Sequence, residues 1–144
     1  MKSTWLSVLT GTLAVLLLST FWVIANTYYR ANIEQRAYEL MTETTQAVLE
    51  TGDWTLVLEN MTAEAPIQSG DMSSLGNFGR LVTLGDMEGI ADVPRPFSGR
   101  PATAQLRIAG HFSNGVSYTE AILVYQDGRW QFNHFAFRPG EFAQ

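Results

Sequence analysis

The stretch ATAQLRIAGHFSNGVSYTEAILVYQDGRWQFNHFAFR, residues 102–138, decides the fold. It holds three apolar, partly alternating runs separated by Ser113-Asn114-Gly115-Val116 and by Gln126-Asp127-Gly128-Arg129. Asn-Gly and Asp-Gly are favoured centres of two-residue type I′ hairpins, because both central positions need positive φ. The pattern predicts a three-stranded antiparallel meander over about 103–112, 116–126 and 129–138.

Turns of that kind also set register, and alternation along each strand then sorts the two faces of the sheet. With Ser113 paired to Val116 and Gln126 to Arg129, one face carries Leu106, Ile108, Phe112, Ala121, Leu123, Tyr125, Trp130, Phe132 and His134. This is the expected core. The opposite face carries Arg107, His111, Tyr118, Glu120, Ile122, Val124, Gln131, Asn133, Phe135 and Phe137. That set is too apolar for ordinary solvent surface.

Upstream, Ile33, Ala37, Leu40, Met41, Thr44 and Val48 recur at helical spacing, with Glu39, Glu43, Gln46 and Glu50 on the other side. An amphipathic helix with one buried stripe is expected. Thr51-Gly52-Asp53 ends it, Gly supplying a left-handed C′ position and Asp an N-cap for a short second helix bearing Trp54, Val57, Leu58 and Met61. Residues 63–78 and DVPRPFSGRP, residues 92–101, read as loops, because Gly, Ser and Pro are dense there. GRLVTL between them reads as a first strand.

Further upstream, Trp5 to Ala25 is 21 residues without a charge, about 31 Å as a helix, which matches the hydrocarbon thickness of a bilayer. Trp5 at one end and Trp22, Tyr28 and Tyr29 at the other are placed like aromatic belts. A cleaved signal peptide ending at Ala25 is the rival reading; the apolar run is longer than a usual signal-peptide core of about 7–15 residues, which favours a retained anchor. The chain thus divides into an anchor, 1–26, and an extramembrane domain, 27–144. Ser7, Gly11 and Ala14 or Val15 form a small-residue stripe along the anchor, a surface on which another membrane helix can pack closely. Lys2 on one side and Arg30 and Arg36 on the other nearly tie for topology. A short N-terminal tail in the cytoplasm and an exported, periplasmic C-terminal domain is the usual arrangement for such an anchor.

All 14 acidic residues and eight of the nine basic ones follow Asn26, leaving the domain at a formal charge of −6. Nucleic-acid binding is not expected, since the arginines are scattered and the field is negative. There is no cysteine, and no carboxylates cluster at ligand spacing, so neither a metal nor a cofactor is expected. No G-x-S-x-G, G-x-G-x-x-G or phosphate-loop pattern occurs. Asn60-Met61-Thr62 matches a glycosylation sequon, but it falls at a helix end and matters only in a eukaryotic secretory pathway.

Helix, short helix, then a curved antiparallel sheet of about four strands ending in Asp127-Gly128-Arg129-Trp130-Gln131-Phe132 resembles the cystatin-like and NTF2-like α+β roll. The resemblance is particularly to small, bacterial, membrane-anchored members that finish on such a hairpin. The resemblance implies a helix cradled by a bent sheet. It leaves activity open, since the roll hosts isomerases, dehydratases, ligand binders, dimerisation modules and anchored components of secretion machines.

Four readings of individual residues follow. His134, on the predicted core face opposite Ala121, is either a structural histidine or a general base at the floor of a helix–sheet hollow. The structural reading is favoured because no polar partner accompanies it. His111 falls on the other face and cannot share an ion with it. Arg107 and Glu120 are diagonal neighbours suited to an ion pair of little energetic weight. Tyr118, Ile122, Phe135 and Phe137 cluster on the outer face and point to a protein interface, unless the tail from Pro139 to Gln144 or one of the long loops covers them. The expected function is a non-catalytic accessory or assembly subunit of a bacterial inner-membrane complex, its partners other membrane subunits or a second copy. The alternatives are a tethered ligand binder or NTF2-like enzyme using the hollow near His134, and a self-associating spacer.

Overall fold

One helix carries two kinds of surface. The computed structural model describes residues 2–63, 65 and 75–142, and its first element, α1, runs unbroken from Lys2 to Thr51. Neither Gly nor Pro interrupts it between the apolar and amphipathic halves, so the two form one rod. From Val8 to Ile24 its large apolar side chains are exposed, whereas from Ile33 the stripe of Ile33, Ala37, Met41, Thr44 and Val48 is buried. Among the described residues this is the one helix long and apolar enough to cross a membrane. Its hydroxyls are satisfied within the helix: Thr12 donates to the Val8 carbonyl, Ser19 and Thr20 to Leu16, and Thr27 to Val23, at 2.8–2.9 Å. In lipid each polar group has to be satisfied internally.

The helix stops as its sequence implies. Gly52 has φ 69° and its N–H donates to the Val48 carbonyl at 3.0 Å, a left-handed C-cap. Asp53 Oδ1 accepts from the Thr55 N–H at 2.9 Å, and the hydrogen bonds from Thr55 hold its carboxyl below the ordinary value. Two short helices follow, α2 (Thr55–Glu59) and α3 (Leu75–Phe78). On α2, Val57 enters the core while Leu58 stays exposed, so one five-residue helix does not bury all of the expected stripe.

Four strands, β1 (Leu81–Asp92), β2 (Thr103–Phe112), β3 (Gly115–Gln126) and β4 (Arg129–Phe142), form an antiparallel sheet in the order β1-β2-β3-β4. The fold class is α+β, with one long apolar N-terminal helix. β1 is twice the expected length because it runs through Gly85 and Gly89, with register breaks at Leu81/Thr83 and Leu84/Met87 that hide its alternation. Gly89 is required where it lies: its φ is 134°, and a Cβ there would overlap the Gln105 carbonyl of β2.

Between β2 and β3 the expected register slides by two. Phe112, not Ser113, closes the hairpin, opposite Gly115. The cause is tertiary: the Ser113 and Asn114 N–H groups are taken by the carbonyls of Arg80 and Phe78, both at 3.0 Å, so the Asn-Gly pair is not free to form its own turn. A slip of two leaves every side chain on its expected face. The second hairpin is as expected, with Asp127 (φ 52°) and Gly128 (φ 79°) at its centre.

The core lies between α1 and the sheet. Its main cluster includes Ile33, Ala37, Met41, Leu106, Ile108, Leu123, Trp130, Phe132 and Phe135; a smaller one holds Leu49, Phe78, Phe112 and Phe137. Trp130 Nε1 donates to the Ile33 carbonyl at 2.7 Å and joins sheet to helix. Residues 60–62 guard the β4 edge, since the Phe132 amide donates to the Asn60 carbonyl at 2.6 Å and the Thr62 amide to the Phe132 carbonyl at 2.9 Å.

Thr44, Thr45, Ser117 and Thr119 bury hydroxyls that have no hydrogen-bond partner among the described residues. An unpaired buried hydroxyl costs about 1–3 kcal/mol. Thr44→Val, nearly isosteric, is therefore expected to stabilise the protein by about 1 kcal/mol, read as a higher Tm in detergent.

Candidate functional site

A bulge in β4 builds the outer face of the sheet. Pairing with β3 follows the expected register from Gln126↔Arg129 to Leu123↔Phe132. The next pair is Ile122↔His134, so Asn133 is left over. One extra residue inverts the alternation of everything beyond it.

The consequences correct four expectations. Phe135 and Phe137 are core residues, 2% and 6% exposed, and do not belong to an outer aromatic cluster. Phe135 packs edge-on against Phe132 and Trp54, and Phe137 against Phe78. His134 lies on the outer face opposite Ile122, so it cannot be the floor of a helix–sheet hollow. His111 and His134 now share a face, and what separates them is distance: their β3 partners, Val116 and Ile122, lie six residues apart, about 20 Å. Residues 139–142 do not fold over the sheet as a covering tail; they extend β4, with Pro139 opposite Ser117 and Phe142 opposite Gly115.

What remains outside is Tyr118, half-buried, and Ile122, 39% exposed, among charged neighbours. Glu88, Arg107 and Glu120 sit directly opposite one another across β1, β2 and β3. Arg107 Nε is 3.7 Å from Glu120 Oε1, and Arg138 Nε is 2.8 Å from Glu120 Oε2. Arg107 also stacks on the Tyr118 ring, its Cζ 3.9 Å from the centroid. The Arg107–Glu120 contact is thus direct, not diagonal. Arg138 is the member that sequence reasoning missed, because only the bulge turns it outward.

Ile122 is the wall between two open hollows. One, of about 480 Å³, is lined by Arg107, Glu120, His134 and Arg138; the other, of about 500 Å³, by Thr62, Val124, Gln131 and Asn133. Glu120 is engaged by two guanidinium groups, and His134 has no side-chain hydrogen bond among the described residues. No metal-holding cluster occurs among those residues. Chemically the surface offers an apolar ridge, a stacked cation and a clamped carboxylate.

On the apolar half of α1, Gly11 and Ala14 are exposed, and Gly11 has nothing within 4 Å of where a Cβ would stand. The side chain of Ser7, third member of the expected stripe, lies outside the described residues. Set against protein-family models, curated proteins and solved structures, the chain matches none.

Proposed function

We propose that this protein is a membrane-anchored, non-catalytic accessory or assembly subunit of a larger membrane protein complex, docked through α1 and the outer face of the sheet. The observation that carries the reading is the ridge of Tyr118 and Ile122, which no helix among the described residues covers. Helices α1, α2 and α3 send their buried side chains to the opposite face of the sheet, and the ridge has a charged rim. An apolar centre ringed by polar groups is the usual anatomy of a protein interface. A long helix laid across one face of a four-stranded antiparallel sheet supports a cystatin/NTF2-like roll. Gly11 and Ala14 supply the close-packing stripe for a neighbouring membrane helix. The compartment that fits is the bacterial inner membrane with a periplasmic domain.

Full-length protein carrying Tyr118→Asp and Ile122→Asp, purified from native membranes in mild detergent, is expected to lose the subunits that accompany the unmodified chain. Unchanged co-purification overturns the reading. If what is lost is only a second copy of the chain, the protein is a self-associating spacer.

The hollow of about 480 Å³ beside His134 favours a second reading, a small-ligand binder working on the outer face. A ligand whose stabilising effect on Tm disappears in His134→Ala would establish it.

A further inference from the structure

The loop VPRPFSGRP, residues 93–101, joins β1 to β2 at the end of the sheet next to the point where α1 leaves its apolar run. Arg30 Nε donates to the Val93 carbonyl at 2.7 Å and ties the loop to the helix. The Ser98 N–H donates to the Arg95 carbonyl at 3.2 Å, closing a turn centred on Pro96 and Phe97, and Phe97 has φ 65°. That is the pattern of a type II turn, whose third position ordinarily takes Gly or Asn because a Cβ is strained there. A bulky aromatic residue at such a position works against the turn. Packing does not hold it either, for Phe97 is 96% exposed.

Its surroundings suggest what does. Phe97 and Pro96 border an apolar hollow of about 380 Å³ whose other walls are Trp22, Ala25, Asn26 and Tyr29 of α1. Those residues mark the end of the uncharged run, the level at which a spanning helix passes through the lipid headgroups. The loop therefore reaches the depth of the bilayer surface. It carries Arg95 and Arg100 and no acidic residue, in a domain whose formal charge is −6. Arginines at that level match lipid phosphates.

We infer that loop 93–101 is a membrane-interface wedge. Phe97 inserts at the headgroup–acyl boundary beside Trp22 and Tyr29, and Arg95 and Arg100 meet lipid phosphates; the inference rests on α1 being a membrane span. Two attachments, helix and wedge, fix the rotation of the domain about the membrane normal. The outer face of the sheet is thereby presented in one direction, which a single tether does not achieve.

The chain has no cysteine, so single labels are clean. Full-length Leu16→Cys, Val82→Cys and Phe97→Cys, each spin-labelled, are reconstituted in phosphatidylcholine vesicles with and without phosphatidylglycerol. Relaxation by oxygen and by a water-soluble nickel chelate then reports depth. The expected result is a Leu16 label in hydrocarbon and a Phe97 label with an oxygen-to-nickel ratio several-fold above that at Val82, rising when phosphatidylglycerol is present. A Phe97 label as wet as Val82 while Leu16 remains in lipid overturns the wedge and leaves the anchor standing. A Phe97 label shielded from both reagents places protein in the hollow and overturns it as well. A Leu16 label in water removes the anchor and the wedge together.

Discussion

Truncation of Phe135 and Phe137 together, each to Ala, is expected to unfold the domain or come close to it. Asn133 is the extra residue between Leu123↔Phe132 and Ile122↔His134. It turns Phe135 and Phe137 toward α1, where they are 2% and 6% exposed. Truncating a buried Phe costs about 3–5 kcal/mol. Losing two of them removes roughly 6 kcal/mol or more, comparable with the whole stability of a small domain. Asn133→Ala keeps the chain length and the bulge. It loses one exposed contact, the 3.3 Å hydrogen bond between Thr62 and the Asn133 carboxamide, and is expected to cost under about 1 kcal/mol. Thermal unfolding of both variants in detergent, followed by near-ultraviolet circular dichroism, separates them. A double-alanine variant as stable as the parent would mean that Phe135 and Phe137 are not held inside.

Trp130→Ala is expected to have the next largest effect, a loss of about 3–5 kcal/mol. The indole is buried, packs edge-on against Tyr125 with ring centroids 5.3 Å apart, and holds the Ile33 carbonyl. Trp130→Phe keeps most of the ring volume and gives up the hydrogen bond, so its cost is expected near about 1–2 kcal/mol. Because Ile33 opens the buried half of α1, the alanine variant also uncouples the sheet from the helix next to the bilayer. Hydrogen exchange that rises in β3 and β4 while α1 keeps its protection would record that uncoupling. Equal loss of protection in both would argue that helix and sheet melt as one unit.

Most of the architecture is legible in local chemistry. A helix spanning lipid needs an uninterrupted apolar run, and Trp5 to Ala25 supplies one. The amphipathic continuation, its Gly52 stop and the Asp127-Gly128 hairpin each depend on neighbours a few residues away, so their signals survive in the linear chain. The candidate site was legible only in half. Tyr118 and Ile122 keep their expected face because the slip at the first hairpin is by two, and an even slip preserves parity. Phe135, Phe137, His134 and Arg138 do not, because a bulge is a shift by one.

By itself the amino-acid sequence determined the long apolar helix and its amphipathic continuation, the antiparallel order of the last three strands and the acidic composition, all properties of periodicity and composition. Helix α3, in a stretch that reads as loop, and the second half of β1 were not legible there. Only the tertiary structure decided where β4 takes its extra residue, which turned two phenylalanines inward and an arginine and a histidine outward. The physical reason is that the side-chain period of a strand is two. The apolar demand of the core beneath α1, summed over partners far apart in the chain, chooses between two parities that the local sequence leaves nearly equal.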